Sequence, residues 1–180
     1  YPHEVDANSI KQNNHVILVL MEGMSAKVMK TFGYPKDITP FLDSIYAKSL
    51  SYSNFYSAGV ITQKGMCATF SSAPTFAHFH SMEKIPRRRT VISTAYCHEG
   101  YTTQLFIPHA PSFDNVFGFF AANPFEFQYC EEDYPEKFKS MGWGAPDEYL
   151  FRYAFNKTDS LVASGVKKTL SVIYGCSNHP

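Results

Sequence analysis

Val16 to Met21, "VILVLM", is an unbroken apolar run that ends directly on Glu22. A continuous apolar run of strand length predicts a central parallel strand, covered on both faces. Further along, "DITPFLDSIYAKSL" carries the signals of a helix start, with Thr39 as N-cap, Pro40 at the first helical position and Asp43 in the first turn. Ile38, Phe41, Leu42 and Ile45 form its predicted buried side. Ser51 to Tyr56 alternates as a short strand would. The Gly-containing turn "SAGVITQKG" then leads into a helix beginning near Thr62 or Gln63.

Two prolines bracket a His-rich, weakly periodic segment from Pro74 to Pro86, which predicts a loop. Thr90 to His98 reads as a helix ended by Gly100, and Tyr101 to Ile107 as the next buried strand. Phe113 to Ala121 reads as a helix and "FEFQY" as a short strand. Pro146, Asp147 and Glu148 open a helix running to about Asn156, with a further short one from Ser160 to Ala163. Thr169 to Gly175 is the last strand. Strands that alternate with helices predict an α/β fold, a mostly parallel sheet with helices on both faces.

Composition narrows the function classes. A chain of 180 residues fits one domain with a sizeable core. Sixteen basic and sixteen acidic residues sum to zero, so the basic field of a nucleic-acid binder is missing. Arg87-Arg88-Arg89 after Lys84 reads as a solvated loop or helix start, with a phosphate-contacting patch as the alternative. The 16% aromatic content suits a packed interior, or a site for sugars or lipid head groups. Cys67, Cys97, Cys130 and Cys176 are too widely spaced for zinc-ribbon, thioredoxin-like or haem-attachment motifs. No apolar run approaches a membrane span, and the polar N-terminus has no signal-peptide core. The closing residues "TLSVIYGCSNHP" read as a strand and the first turn after it, so the expectation is a piece of a longer protein.

In open α/β sheets, ligand groups collect beyond the carboxyl ends of the strands. That rule selects Glu22 after the first strand, His109 after "YTTQLFI" and His179 after the last strand. Thr62 joins them at a helix N-terminus, where backbone N–H groups favour an anion. A carboxylate, a hydroxyl and two imidazoles at one edge suit metal-assisted phosphoryl or sulfuryl transfer. Each has a plainer reading: Glu22 as a surface partner of Lys27 or Lys30, Thr62 as an N-cap, each His as a loop residue. His78-Phe79-His80 would point two imidazoles the same way in extended chain, without a third ligand nearby.

Taken together, "NHVILVLMEGMSAK", "TFGYPKDITPFLDSIYAKSLSYSNFYSAG", "ITQKG", "GYTTQLF", "SFDNVFGFFAANPFEF", "WGAPDEYLF" and "TLSVIYGCSNHP" resemble the phosphoglycerol transferase and lipoteichoic acid synthase group of the sulfatase-like, alkaline phosphatase superfamily. The likeness runs from about Asn14 to the end and keeps the order of motifs. It implies an alkaline phosphatase/sulfatase-like fold, of which this chain would be the N-terminal part. It also implies Glu22 as a metal ligand and Thr62 as both ligand and nucleophile. His179 would bind the phosphoglycerol group or assist the leaving group, and His109 and Lys64 would bind substrate.

The implied cofactor is a divalent metal, Mn first, with Zn, Mg or Ca as alternatives. The implied partners are a phospholipid head group and a glycan or glycolipid acceptor. The implied location is extracytoplasmic, periplasm or cell surface, with membrane helices preceding Tyr1. Val60 stands where the group's turn has a Thr, and Lys64 where it has Arg or His, so Lys64 keeps the charge without the bidentate fork. Relatives complete the metal site with an Asp-His pair downstream of the "SNHP" motif. With Glu22 and Thr62 as its only ligands, this chain alone is expected to bind metal poorly and turn over little.

A formylglycine sulfatase needs C/S-x-P-x-R, and "CATFS" from Cys67 has neither Pro nor Arg. Three functions stay open: a phosphoglycerol-type transferase, a phosphate- or sulfate-ester hydrolase with the same site, and a non-catalytic module that binds glycan or a membrane partner.

Overall fold

The computed structural model describes residues 14–72, 90–123, 125–139 and 144–179. Four strands make one parallel sheet: β1 (His15–Leu20), β2 (Thr102–Phe106), β3 (Phe127–Tyr129) and β4 (Thr169–Tyr174), in the order β1-β4-β2-β3. Parallel neighbours need crossover connections. These carry α1 (Pro40–Lys48), α2 (Thr62–Ser71), α3 (Ile92–His98), α4 (Val116–Ala122), α5 (Glu136–Lys139) and α6 (Asp147–Ala163).

Alternation along the strands divides the core in two. On one face Leu105, Leu170 and Val172 pack against Phe70 of α2 and Phe119 and Phe120 of α4. On the other, Phe106 and Ile173 meet Leu150 and Ala154 of α6. Each such large side chain, fully buried, contributes about 1.5–3 kcal/mol. Helices on both faces of a parallel sheet are the expected α/β architecture.

The central position expected of β1 belongs to another strand. The strand buried at every residue is β4, paired on both sides, with Tyr174 opposite Leu20 of β1 and Ile173 opposite Phe106 of β2. Among the described residues β1 is an edge strand. Val16, Leu18 and Leu20 pack on the core, while Ile17 and Met21 are each 44% exposed. The predicted cover on both faces of β1 is therefore corrected to one face.

The predicted buried side of α1 is corrected too. None of its residues is buried, and Phe41 is 76% exposed. Polar contacts orient it instead. Asp43 accepts from the Thr31 backbone N–H at 2.7 Å, from the Thr31 hydroxyl and from the Thr39 hydroxyl at 2.8 Å. These bonds, the Thr31 hydroxyl's first, hold the Asp43 carboxyl below its usual range.

Three further expectations change. The predicted strand from Ser51 to Tyr56 is irregular chain, with Phe55 and Tyr56 exposed. Helix α4 starts only at Val116, because Asp114 and Asn115 take left-handed φ of 51° and 52°, which these two residue types tolerate. Helix α6 runs unbroken to Ala163, absorbing the separate short helix expected at Ser160. Within it the Thr158 and Ser160 hydroxyls donate to the carbonyls of Ala154 and Asn156, at 2.9 and 2.8 Å, which satisfies these side chains inside the helix. The Pro74–Pro86 loop, the His78-Phe79-His80 pair and the Arg87-Arg88-Arg89 run lie outside the described residues, except that Thr90, which follows them, is described.

Candidate active site

The site forms where β1, β4 and the N-terminus of α2 meet at the carboxyl edge of the sheet. Beyond Leu20 the chain turns through Glu22 and Gly23, and the Gly175 N–H donates to the Leu20 carbonyl at 3.0 Å. That bond keeps β1 and β4 in register up to the edge, and so places Glu22 beside Tyr174. Thr62, the first residue of α2, lines with Glu22 and Tyr174 a cleft of about 560 Å³. Val60, on the rim, is 97% exposed.

The Thr62 hydroxyl donates to Glu22 Oε2 at 2.9 Å, and the Tyr174 hydroxyl donates to the same oxygen at 3.0 Å. Thr62 is therefore not an N-cap: Ile61 holds that position, without a side-chain bond. The surface ion pair considered for Glu22 is not what forms with Lys30, which pairs with Asp37 at 3.7 Å. Burial, and after it the Glu22 carboxylate, push the Tyr174 phenol far above its usual range. The phenol thus stays protonated and remains a donor. Hydrogen bonds to a charged acceptor are the stronger kind, and here two fix one carboxylate oxygen.

His109 lies behind this trio. It is buried, stacked on Phe113 with ring centroids 4.2 Å apart and 5.6 Å from the Tyr174 ring. His179 is half-buried in the turn after β4, its N–H donating to the Cys176 carbonyl at 2.9 Å. The same turn touches Glu22's neighbour. Gly23 has φ +60°, and a Cβ there would stand 2.6 Å from the Asn178 carbonyl oxygen, so only glycine allows this approach. Lys64 is half-buried in the first turn of α2.

The structure thus brings Glu22 and Thr62 into direct contact and seats His109 against the tyrosine that completes the trio. His179 stands on the loop packed over the Glu22–Gly23 turn. Sequence reading missed Tyr174. Its signal is a phenol at the carboxyl end of the last strand, the position the strand-end rule searches.

Two oxygen donors 2.9 Å apart fit part of a divalent-metal coordination set. Among the described residues no group of three or more His, Cys, Asp or Glu side chains converges on one point. Cys67, the nearest alternative nucleophile in α2, is fully buried.

The family model described as Sulfatase matches residues 14–180. Among solved structures, a protein in the alkaline phosphatase superfamily from Vibrio parahaemolyticus is 24% identical with a TM-score of 0.82, over 94% of this chain and 41% of that one. The lipoteichoic acid synthase LtaP from Listeria monocytogenes is 18% identical with a TM-score of 0.81, over 92% and 41%. The C-terminal periplasmic domain of EcEptC from Escherichia coli, in complex with Zn, is 15% identical with a TM-score of 0.64, over 96% and 46%. The chain therefore spans less than half the length of each of these structures, and they share its fold. The family-model match over residues 14–180 carries the conclusion, and the parallel sheet agrees with it: the chain belongs to the sulfatase family.

Proposed function

We propose that this chain carries the nucleophile-bearing part of a metal-dependent phosphotransferase site. The reaction moves a phosphoglycerol-type group from a phospholipid to a glycan or glycolipid, through a Thr62 phospho-intermediate. The observation that carries the reading is the 2.9 Å bond from Thr62 Oγ1 to Glu22 Oε2 at the N-terminus of a helix. A hydroxyl is a weak nucleophile unless its proton has an acceptor, and the helix N-terminus favours the anionic group it attacks. Threonine at this position speaks against formylglycine chemistry, which needs Cys or Ser there.

Bond changes balance in two steps. Thr62 Oγ1 bonds to phosphorus as the bond to the diacylglycerol oxygen breaks, and that oxygen takes a proton. An acceptor hydroxyl then bonds to the same phosphorus, and Thr62 Oγ1 is released and reprotonated. In this reading Glu22 orients and deprotonates Thr62, Tyr174 fixes Glu22, and His179 contacts the transferred group or hands the leaving oxygen its proton. Lys64 and His109 contribute to substrate binding.

Glu22 and Thr62 would hold the divalent cation, which supplies Lewis-acid stabilisation of charge on the phosphoryl oxygens. The two donors present, Glu22 and Thr62, are hard oxygens that suit Mn or Mg, and Mn is the assignment proposed, with Zn, Mg or Ca as alternatives. The remaining ligands belong to further polypeptide of the same domain, and the reaction to the extracytoplasmic face of a membrane. Among the described residues no helix is long and apolar enough to cross a membrane.

The test is mass spectrometry of the full-length protein incubated with phosphatidylglycerol, alone and with a glycan acceptor. A phosphoglycerol adduct on Thr62 that disappears when acceptor is added supports transfer. Release to water at the same rate with or without acceptor would instead make the enzyme a hydrolase.

A further inference from the structure

The "WGAPDEYLF" motif has no part in the chemistry above, yet its described residues reach both imidazole-bearing loops. Asp147 opens α6, and its Oδ1 accepts from two consecutive backbone N–H groups, Cys176 at 2.7 Å and Ser177 at 3.1 Å. The Asp147 N–H donates in return to the Ser177 hydroxyl at 2.8 Å. Three hydrogen bonds thus tie the first residue of a 17-residue helix to the turn that ends at His179. Gly175 makes the approach feasible: a Cβ there would stand 2.7 Å from Asp147 Oδ2.

Two residues earlier the same segment grips the other loop. The Ala145 N–H donates to the Pro108 carbonyl at 2.9 Å, next to His109. The Ala145 carbonyl accepts from the Cys176 thiol at 3.4 Å. The chain from Ala145 to Asp147 is therefore a strap between the loop after β2 and the loop after β4. Asn178, one residue before His179, rests its carbonyl on Gly23, so the turn is clamped between Asp147 below and the Glu22–Gly23 turn on its other side.

We infer that Asp147 is a positioning residue: by holding the Cys176–Ser177 backbone it sets where His179 stands relative to Glu22 and Thr62. The inference rests on the proposed role of His179 at the substrate. The carboxylate's work is to accept two N–H groups in a fixed place, a task an amide oxygen also performs. Asn at 147 should therefore substitute and Ala should not. Of the two roles proposed for His179 the inference takes contact with the transferred group, so a misplaced ring weakens substrate binding more than it slows a nucleophile held by Glu22, and the defect falls on KM.

The test uses the full-length enzyme with phosphatidylglycerol as donor. Asp147→Ala is expected to raise KM about tenfold, with kcat within about threefold of wild type and the melting temperature lowered by only a few degrees, because the buried Cys176 N–H loses its acceptor. Asp147→Asn should stay within about threefold in KM. Gly175→Ala, which crowds the carboxylate without altering it, should reproduce the Ala defect. In a His179→Ala background, Asp147→Ala should add nothing further to KM.

Wild-type KM for both Asp147→Ala and Gly175→Ala overturns the inference. So does a KM effect that persists undiminished when His179 is absent, or a loss of kcat that tracks a lowered melting temperature. Should Asp147→Ala not fold, Gly175→Ala and Asp147→Asn decide alone: a raised KM in the first with a preserved KM in the second supports the role, and any other pair rejects it. If Thr62→Ala keeps full activity, the phosphotransferase reading falls. The KM comparison still judges Asp147 on whichever phosphate ester the enzyme turns over.

Discussion

The hydroxyls of Thr62 and Tyr174, from a helix N-terminus and a strand end, converge on one oxygen, Oε2 of Glu22, at 2.9 and 3.0 Å. Tyr174 thereby competes with Thr62 for the acceptor and at the same time locks its place. Because burial and the neighbouring carboxylate keep the phenol protonated, this lock persists across the physiological pH range.

Tyr174→Phe tests the lock. It keeps the ring beside His109 and removes only the donor to Glu22. A half-exposed carboxylate that loses one of two donors should lower unfolding free energy by about 1 kcal/mol. Catalytic efficiency of the full-length enzyme should fall about tenfold. Urea denaturation and steady-state kinetics read the two effects, and unchanged kinetics would remove Tyr174 from the site.

Gly23→Ala tests the contact between the two loops. The substitution forces an L side chain into a left-handed backbone, at about 1 kcal/mol, and drives its Cβ to within 2.6 Å of the Asn178 carbonyl. That carbonyl is backbone and cannot rotate away. A stability loss of about 2 kcal/mol is expected by chemical denaturation, together with a raised KM. A variant as stable as wild type would mean that the 177–179 turn yields freely.

Cysteine reactivity reports on burial at the same edge. All four cysteines are thiols; Cys97 is exposed, and Cys67, Cys130 and Cys176 are buried. Burial first, then the Asp147 and Glu22 carboxylates, push the Cys176 thiol up to about 11. The thiolate is the reactive form and grows only as pH approaches that value, so at pH 8 roughly one molecule in a thousand carries it. Iodoacetamide at pH 8 should label Cys97 within minutes and leave Cys176 intact, with Cys176 labelling rising steeply above pH 10. Peptide mapping that finds Cys176 labelled first would contradict the packing of Ala145 and Asp147 over it.

Local pattern revealed element type better than neighbourhood. "VILVLM" reads as the central strand and "TLSVIY" only as the last one, yet the second, with Ser171 inside it, is paired on both sides. Ser171 is at home there because Gln104 Nε2 donates to it at 3.1 Å and Thr158 lies 2.9 Å away, partners that no local window contains. The apolar periodicity of Phe41 and Ile45 correctly gave a helix but not its burial, since what covers a face is a property of the rest of the molecule.

The same division holds at the site. That Glu22 and Thr62 lie at one edge was legible because strand ends and helix starts have sequence signatures. Tyr174 was hidden inside a core pattern. Asp147 read only as a helix start, although its carboxylate serves the next loop.

The central claim is that Thr62 is the nucleophile and Glu22 its partner. The most direct measurement is intact and peptide mass spectrometry of the full-length enzyme after incubation with phosphatidylglycerol, comparing wild type, Thr62→Ala and Glu22→Gln. The account predicts a phosphoglycerol adduct on the Thr62 peptide of the wild type, none in Thr62→Ala, and a rate of adduct formation at least 100-fold lower in Glu22→Gln, consistent with loss of about 3 kcal/mol of transition-state stabilisation. Full turnover by Thr62→Ala, or an adduct on any other residue, would contradict it.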